Sequence, residues 1–172
     1  MSSTLYFEDV EVGQCWISPS RTITETDVIN FAGITGDFNP LHVDQPFASG
    51  THFGQRIAHG LLGLSWVAGL GSQSPLMKTV AFVSIQQWMF LKPLAFGDTV
   101  HVRTEVKDKS LSGRRYGRVL WLRSLINQRG EITQQGIFET VVETSATNPR
   151  PHLRKSIGEP AVDPISDFRN VD

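Results

Sequence analysis

The stretch that decides the fold runs Ile57-Ala-His-Gly-Leu-Leu-Gly-Leu-Ser-Trp-Val-Ala-Gly-Leu-Gly71. It predicts a helix over about residues 59–71 with large apolar side chains around nearly its whole circumference, so we expect burial on most sides. Gly63, Ala68 and Gly69 are small enough to let a sheet approach closely. The apolar run is about half as long as a bilayer requires, which favours a core helix over a membrane span.

Downstream of this helix the pattern changes to an alternation of apolar and polar residues, which is typical of strands. Four strands are predicted, over residues 80–90, 100–106, 115–127 and 132–144. Turn residues separate them. Helices followed by a run of antiparallel strands indicate an α+β domain in which one sheet wraps around one buried helix.

Upstream of the helix, turn and capping residues divide the chain into shorter elements. One strand and two helices are predicted, over residues 16–23, 24–36 and 44–49. Thr24 with Asp27 three residues later forms a capping box that begins the first of these helices, and glycines end it. Pro40 pushes Asn39 out of the helical region, so the chain bends between the two helices.

The composition limits the classes of function. The chain has 172 residues, with 16 basic and 17 acidic side chains and one cysteine, Cys15. The near-zero net charge argues against a general nucleic-acid binder. A lone cysteine excludes an internal disulfide framework and a cysteine-built metal site. The N-terminal residues have neither a basic start nor an apolar run, so we expect a cytoplasmic protein without a membrane partner.

The chain length suits one domain, which we place at residues 1–146. Residues 147–172 differ in composition, since they hold four of the nine prolines and few large apolar groups. We expect this C-terminal segment to be an extended tail.

The polar residues that suggest chemistry are concentrated before the long helix. Asp37 and His42 lie five residues apart, and Asn39-Pro40 forces a bend between them. A turn can aim both side chains into one volume, where a carboxylate and an imidazole sharing a water form a general acid/base pair. The alternative, which the spacing alone favours, is that Asp37 caps the turn and His42 is a polar residue beneath a loop.

The pair His59-Gly60 falls where the long helix begins. The first backbone N–H groups of a helix have no internal acceptor and carry partial positive charge. Because Gly60 has no side chain, a thioester carbonyl oxygen could approach its N–H as an oxyanion. The alternative is that Gly60 only permits tight packing and that His59 caps the helix.

Together these segments resemble a known family. Thr35-Gly-Asp37-Phe-Asn39-Pro40-Leu-His42-Val-Asp44, Phe47-Ala48 and Ile57-Ala-His59-Gly60 strongly resemble the MaoC-like dehydratases, the (R)-specific enoyl-CoA hydratases. Residues 90–99 are also similar to that family, and the resemblance covers about residues 5–145. The first motif is the specific one, since the second would be weak alone.

The resemblance implies a hot-dog fold, in which an antiparallel sheet wraps around the long helix, and a homodimer formed through the sheet. It implies that Asp37 and His42 are a catalytic dyad that activates water for addition to a 2-enoyl-CoA thioester. Gly60 would supply the oxyanion-hole N–H, and Asn39 and His59 would position the substrate. No metal or redox cofactor is required.

One position departs from the family pattern. Several members carry a serine about nine residues after the histidine of the His-Gly pair, bordering the active site. Here that position is Ala68, and Ser65 lies almost a turn earlier. If that hydroxyl tunes the pocket, we expect a different substrate preference.

Two other functions are open to a hot-dog protein. Many acyl-CoA thioesterases place an acidic residue on or near the central helix, and none occurs from Leu61 to Gly71. A non-catalytic subunit that binds an acyl chain or a partner would not need to keep both Asp37 and His42. His42 and Asp44 with His52 suggest a metal site, but their spacing matches no ligand signature.

Overall fold

Six strands and four α-helices make up residues 4–147, the part of the chain that the computed structural model describes. The helices are Glu25–Thr35 (α1), Pro40–Val43 (α2), Gln45–Ser49 (α3) and Gly60–Gly71 (α4). The strands are Cys15–Ile17 (β1), Arg21–Thr22 (β2), Thr79–Phe90 (β3), Thr99–Ser112 (β4), Tyr116–Asn127 (β5) and Ile132–Glu143 (β6). The predicted C-terminal tail lies, apart from Thr147, outside the described residues.

The strands form one antiparallel sheet in the order β1–β4–β5–β6–β3, and β2 also pairs with β4. Alternate residues of the central strands face inward and build the core under α4. The buried ones include Val119, Trp121, Leu125, Phe138 and Val142. The expected α+β domain, with a sheet packed around one apolar helix, is therefore confirmed.

Two of the predicted strands have different bounds in the structure. The strand expected at 100–106 continues to Ser112, because the polar residues after Val106 still pair across the hairpin with β5. The strand expected at 16–23 is divided into β1 and β2. Pro19 lies between them and has no N–H with which to continue the ladder.

Burial of α4 is less complete than the sequence predicts. The sheet covers one side, where Leu62, Trp66 and Val67 are buried, whereas Leu61 is 57% exposed. Gly63 allows a close approach, since a Cβ there would collide with Gln134 and Leu94. Gly69 faces open space, so its predicted role in sheet packing is wrong.

The predicted capping box at the start of α1 is present. The Thr24 side chain accepts a hydrogen bond from the Asp27 N–H, and the Asp27 carboxylate accepts one from the Thr24 N–H. Burial opposes ionisation of Asp27, but the hydrogen bonds that its carboxylate accepts from the Thr24 hydroxyl and N–H, together with Arg21, outweigh it and lower the pKa of Asp27. α1 ends at Gly36, whose φ of 76° is left-handed, and the chain turns there into the loop that carries Asp37.

Candidate active site

Asp37 follows the C-cap of α1, and its two carboxylate oxygens have different surroundings. Oδ1 accepts a hydrogen bond of 3.2 Å from the Asn39 N–H, which closes the turn before α2. Oδ2 points towards two imidazoles, with His42 Nε2 at 4.0 Å and His59 Nε2 at 3.9 Å. The side chain is 54% exposed, so solvent reaches the carboxylate. Asp37 thus caps the turn and also faces His42.

His42 lies on the single turn of α2, which Asn39 caps by accepting a bond from the Leu41 N–H at 3.0 Å. His42 Nδ1 is 2.8 Å from the Ile57 carbonyl oxygen. A carbonyl only accepts, so the proton of a neutral ring is on Nδ1 and the lone pair on Nε2. That lone pair faces Asp37 across 4.0 Å, a gap wide enough for a water to lie about 2.8 Å from each atom.

His59 holds this loop against the beginning of α4. Its side chain is 3% exposed, and its Nε2 donates a hydrogen bond of 2.9 Å to the backbone carbonyl of Asp37. Its ring centroid lies 3.7 Å from that of His42 and 5.2 Å from that of Phe31. No side-chain cap bond joins His59 to α4. The ring therefore contacts the loop and not the helix backbone, which the capping alternative would require.

Gly60 is the first residue of α4, so its N–H has no acceptor within the helix. Gln134 Nε2 donates to the Gly60 carbonyl at 3.0 Å, and a Cβ at Gly60 would lie 3.0 Å from the Phe90 ring. These residues line a cavity of about 290 Å³, together with Ile57 and Leu94. We call it the Gly60 cavity. Ile57 connects it to His42, whose ring it anchors.

A metal site is a second use that the cluster suggests. Donor atoms of Asp37, His42 and His59 lie within 4.8 Å of one another. In this arrangement, however, His59 Nε2 and His42 Nδ1 each carry a proton donated to a carbonyl. The free lone pairs facing the cluster are then those of His42 Nε2 and Asp37 Oδ2, fewer than the three protein ligands of a catalytic zinc site. Asp44 instead caps α3, and His52 stacks on Phe53 outside the cluster.

Three contributors to the site carry no chemical signal in the sequence. Ile57 contributes its carbonyl and part of the cavity wall, Phe31 contributes a ring face, and Gln134 lies 74 residues beyond Gly60. The sole clue to Gln134 is its place in a strand pattern where a polar residue falls on the inward face. Its side chain is 1% exposed.

Comparison with known proteins shows the family of the chain. A family model described as a MaoC-like domain matches residues 11–119. The chain belongs to the MaoC-like family. It is 44% identical over 105 residues to a 3-hydroxybutyryl-CoA dehydratase of Methylorubrum extorquens, covering 60% of this chain and 65% of that protein. It is 41% identical over 96 residues to an (R)-specific enoyl-CoA hydratase of Rhodospirillum rubrum, covering 55% and 65%. The chain thus spans less than two thirds of either relative.

Solved structures place this MaoC-like chain in the hot-dog fold. An Archaeoglobus protein described as a monoamine oxidase regulatory protein superposes with a TM-score of 0.76 at 36% identity, over 82% of this chain and 95% of that one. A Mycobacterium tuberculosis protein described as a double hot-dog fold gives a TM-score of 0.72 at 20% identity, over 94% and 53%. Within residues 4–147, every helix is too short or too polar to cross a membrane.

Proposed function

We propose that this protein catalyses the (R)-specific hydration of a 2-enoyl-CoA thioester, or the reverse dehydration of a 3-hydroxyacyl-CoA. The observation that carries the proposal is the pair formed by Asp37 Oδ2 and the lone pair of His42 Nε2, 4.0 Å apart beside the first turn of α4. The names of the dehydratase and hydratase relatives support the same reaction class.

The proposed reaction uses one water held between Asp37 and His42. The water oxygen bonds to C3 of the enoyl group as one water O–H bond breaks, and the electron pair of the double bond moves towards the thioester carbonyl. Asp37 and His42 together take the proton from the water and return a proton to C2, so no other reactant is consumed. General acid–base catalysis of this kind contributes about 10²–10⁴-fold in rate.

The negative charge that develops on the thioester oxygen needs a donor. The Gly60 N–H is free of an intrahelical acceptor, lies at the positive end of α4, and borders the Gly60 cavity. We assign it the oxyanion role, which is worth about 10²–10³ in kcat where single donors have been removed from other enzymes.

Asn39 and His59 act through other residues in this proposal. Asn39 caps α2 and thereby holds His42, while His59 holds the Asp37 backbone. Because His59 is 3% exposed, we give it a positioning role towards Asp37 in place of the substrate contact expected from the sequence.

We further propose a homodimer formed along β3. The outer edge of this strand pairs with no other strand of the described residues. The strand β3 also has exposed apolar side chains, at Val80, Phe82, Ile85, Met89 and Phe90. An unpaired apolar edge joins readily to a second copy of itself by antiparallel addition. Ile85→Lys is expected to yield a monomer in light scattering after gel filtration, and a dimeric variant would contradict this interface.

The cytoplasmic location remains a prediction.

A single assay separates the proposed hydratase from its alternatives. With crotonyl-CoA, a hydratase removes the enone absorbance and yields (R)-3-hydroxybutyryl-CoA, which chiral analysis identifies. Release of free thiol would instead establish a thioesterase. If longer and carboxylated 2-enoyl-CoA thioesters stay unchanged as well as crotonyl-CoA, a non-catalytic acyl-binding subunit is left. The absence of acidic residues from α4 disfavours the thioesterase.

A further inference from the structure

A buried arginine lies at the other end of α4. Arg123 is on the inward face of β5 and is 6% exposed. Its Nη2 donates to the Gly71 carbonyl at 3.1 Å, and its guanidinium lies 4.9 Å from the Phe138 ring centroid. Its Nε has no hydrogen-bond partner among the described residues. Among the described residues, one of its five N–H donors therefore has an acceptor.

This arginine also lacks an acidic partner. Within residues 4–147, no carboxylate forms an ion pair with Arg123. On the same strand, Arg118 shows the ordinary arrangement, with Glu139 at 2.8 Å. Burial lowers the pKa of Arg123 to about 10, which still leaves it charged at neutral pH. Burying a cation without a counter-charge costs folding free energy, so we expect a bound anion to offset the charge of Arg123.

Arg123 lines a second cavity, of about 330 Å³, which we call the Arg123 cavity. The other lining residues are apolar or carry hydroxyl groups, and Arg123 is the one charged side chain among them. Ala68, near the end of α4, is also on the wall. A pocket with apolar walls and one guanidinium suits a short hydrocarbon chain that ends in a carboxylate.

We propose that the Arg123 cavity binds a carboxylate on the acyl group, so that the substrates are 2-enoyl-CoA thioesters bearing a second acid group. This inference rests on the proposed hydration of an acyl-CoA and names the class of acyl group. Arg123 is then a specificity-determining residue that touches the non-reacting end of the substrate.

The path from the reacting atoms to this cavity follows from the topology. Within one subunit, Gly60 and Gly71 are separated along α4 by about 16 Å. In the proposed dimer, antiparallel pairing places the first residues of one β3 beside the last residues of the other. The Arg123 cavity borders the start of β3 at Thr79 and Phe82, and the Gly60 cavity borders its end at Phe90. The Gly60 cavity of one subunit and the Arg123 cavity of its partner would therefore border the same end of the paired β3 strands, which is the route that we propose for the acyl group.

The test compares ligands that differ only in the terminal group. Glutaryl-CoA and pentanoyl-CoA have equal chain lengths and no double bond, so calorimetry measures their binding without turnover. Longer matched pairs extend the series. We expect the carboxylate ligand of the best-fitting pair to bind wild type about 10-fold tighter or more than its neutral counterpart. Arg123→Met should remove this preference. Arg118→Met, which deletes the same charge on the opposite face of β5, should retain it.

Two results would overturn the inference. One is equal affinity of wild type for both members of every pair. The other is an Arg123→Met variant that loses affinity for both members alike and melts at a lower temperature, which would indicate a purely structural role at the end of α4. Hydration of crotonyl-CoA without any carboxylate preference would refute this inference alone. A carboxylate preference without hydration of any enoyl-CoA would refute only the proposed reaction.

Discussion

Replacing Asp37 by asparagine separates the two interactions of its carboxylate. Oδ1 accepts the Asn39 N–H at 3.2 Å, and an amide oxygen accepts that bond equally well. Oδ2 faces the lone pair of His42 Nε2, and an amide nitrogen there donates to His42 instead of accepting a proton from water. Asp37→Asn should therefore keep the loop and lose the acid/base pair.

The magnitudes follow from these contacts. Loss of the pair should lower kcat/KM for crotonyl-CoA hydration by about 10²–10⁴-fold. Stability should change by less than about 0.5 kcal/mol, because the substituted side chain is half exposed and the turn bond remains. Asp37→Ala removes the turn bond as well, and should cost about 0.5–1.5 kcal/mol in addition. Urea unfolding gives the free energies, and loss of enone absorbance gives the rates.

Asp44 supplies the matched control. Its Oδ1 caps α3 by accepting the Phe47 N–H at 3.0 Å, and it lies outside the cluster of imidazoles. Asp44→Asn makes the same chemical change in the same loop region and should leave the hydration rate unchanged. A wild-type rate in Asp37→Asn, measured beside this control, would refute the Asp37–His42 mechanism.

Three other changes test separate contacts. His59→Phe keeps the ring but removes the N–H that holds the Asp37 carbonyl at 2.9 Å, so kcat should fall by up to about 100-fold with little change in KM, and a change confined to KM would argue for substrate contact. Gly60→Ala brings a Cβ 3.0 Å from the Phe90 ring and should lower kcat. Adding Phe90→Leu to this variant should restore part of the lost kcat, and no recovery would show that the contact with Phe90 is not the cause of the loss. The hydrogen bond from Asn127, with those from Lys92 and Arg129, lowers the pKa of Glu131 to about 2. The stabilisation that ionised Glu131 provides is full above the ordinary pKa near 4.5 and disappears as pH falls towards 2. Glu131→Gln should therefore reduce the fall in unfolding free energy between about pH 4.5 and 2, and an unchanged fall would contradict this prediction.

The sequence predicts most of the fold because the deciding signals are local. The capping box at Thr24, the stop at Gly36 and the cap at Asp44 each act within a few residues, and the structure has helix ends at all three. The proximity of Asp37 and His42 is predictable for the same reason, since one bend at Pro40 brings them together. The extent of β4 is not, because its outer half is held by pairing with β5 and not by an apolar pattern.

The rest of the site depends on contacts between distant segments. Gln134 and Ile57 contribute through positions that only the folded sheet and loop bring near Gly60 and His42. Arg123 did carry a signal, because it continues the inward alternation of Val119, Trp121 and Leu125 on β5. In sequence it is nonetheless one of two arginines on a strand that is mostly apolar. The structure adds that no carboxylate among the described residues forms an ion pair with it.

The bond from His59 to the Asp37 carbonyl joins the loop to the beginning of α4, whereas Arg123 and Ala68 lie near the end of that helix. Under the two proposals, residues around the end of α4 select the acyl group, whereas the reacting side chains keep their spacing near its beginning. We therefore expect a mutant library confined to Ala68, Ser72 and Arg123 to change which acyl groups are accepted more than it changes the rate of the chemical step, which makes the end of this helix a practical target for directed evolution.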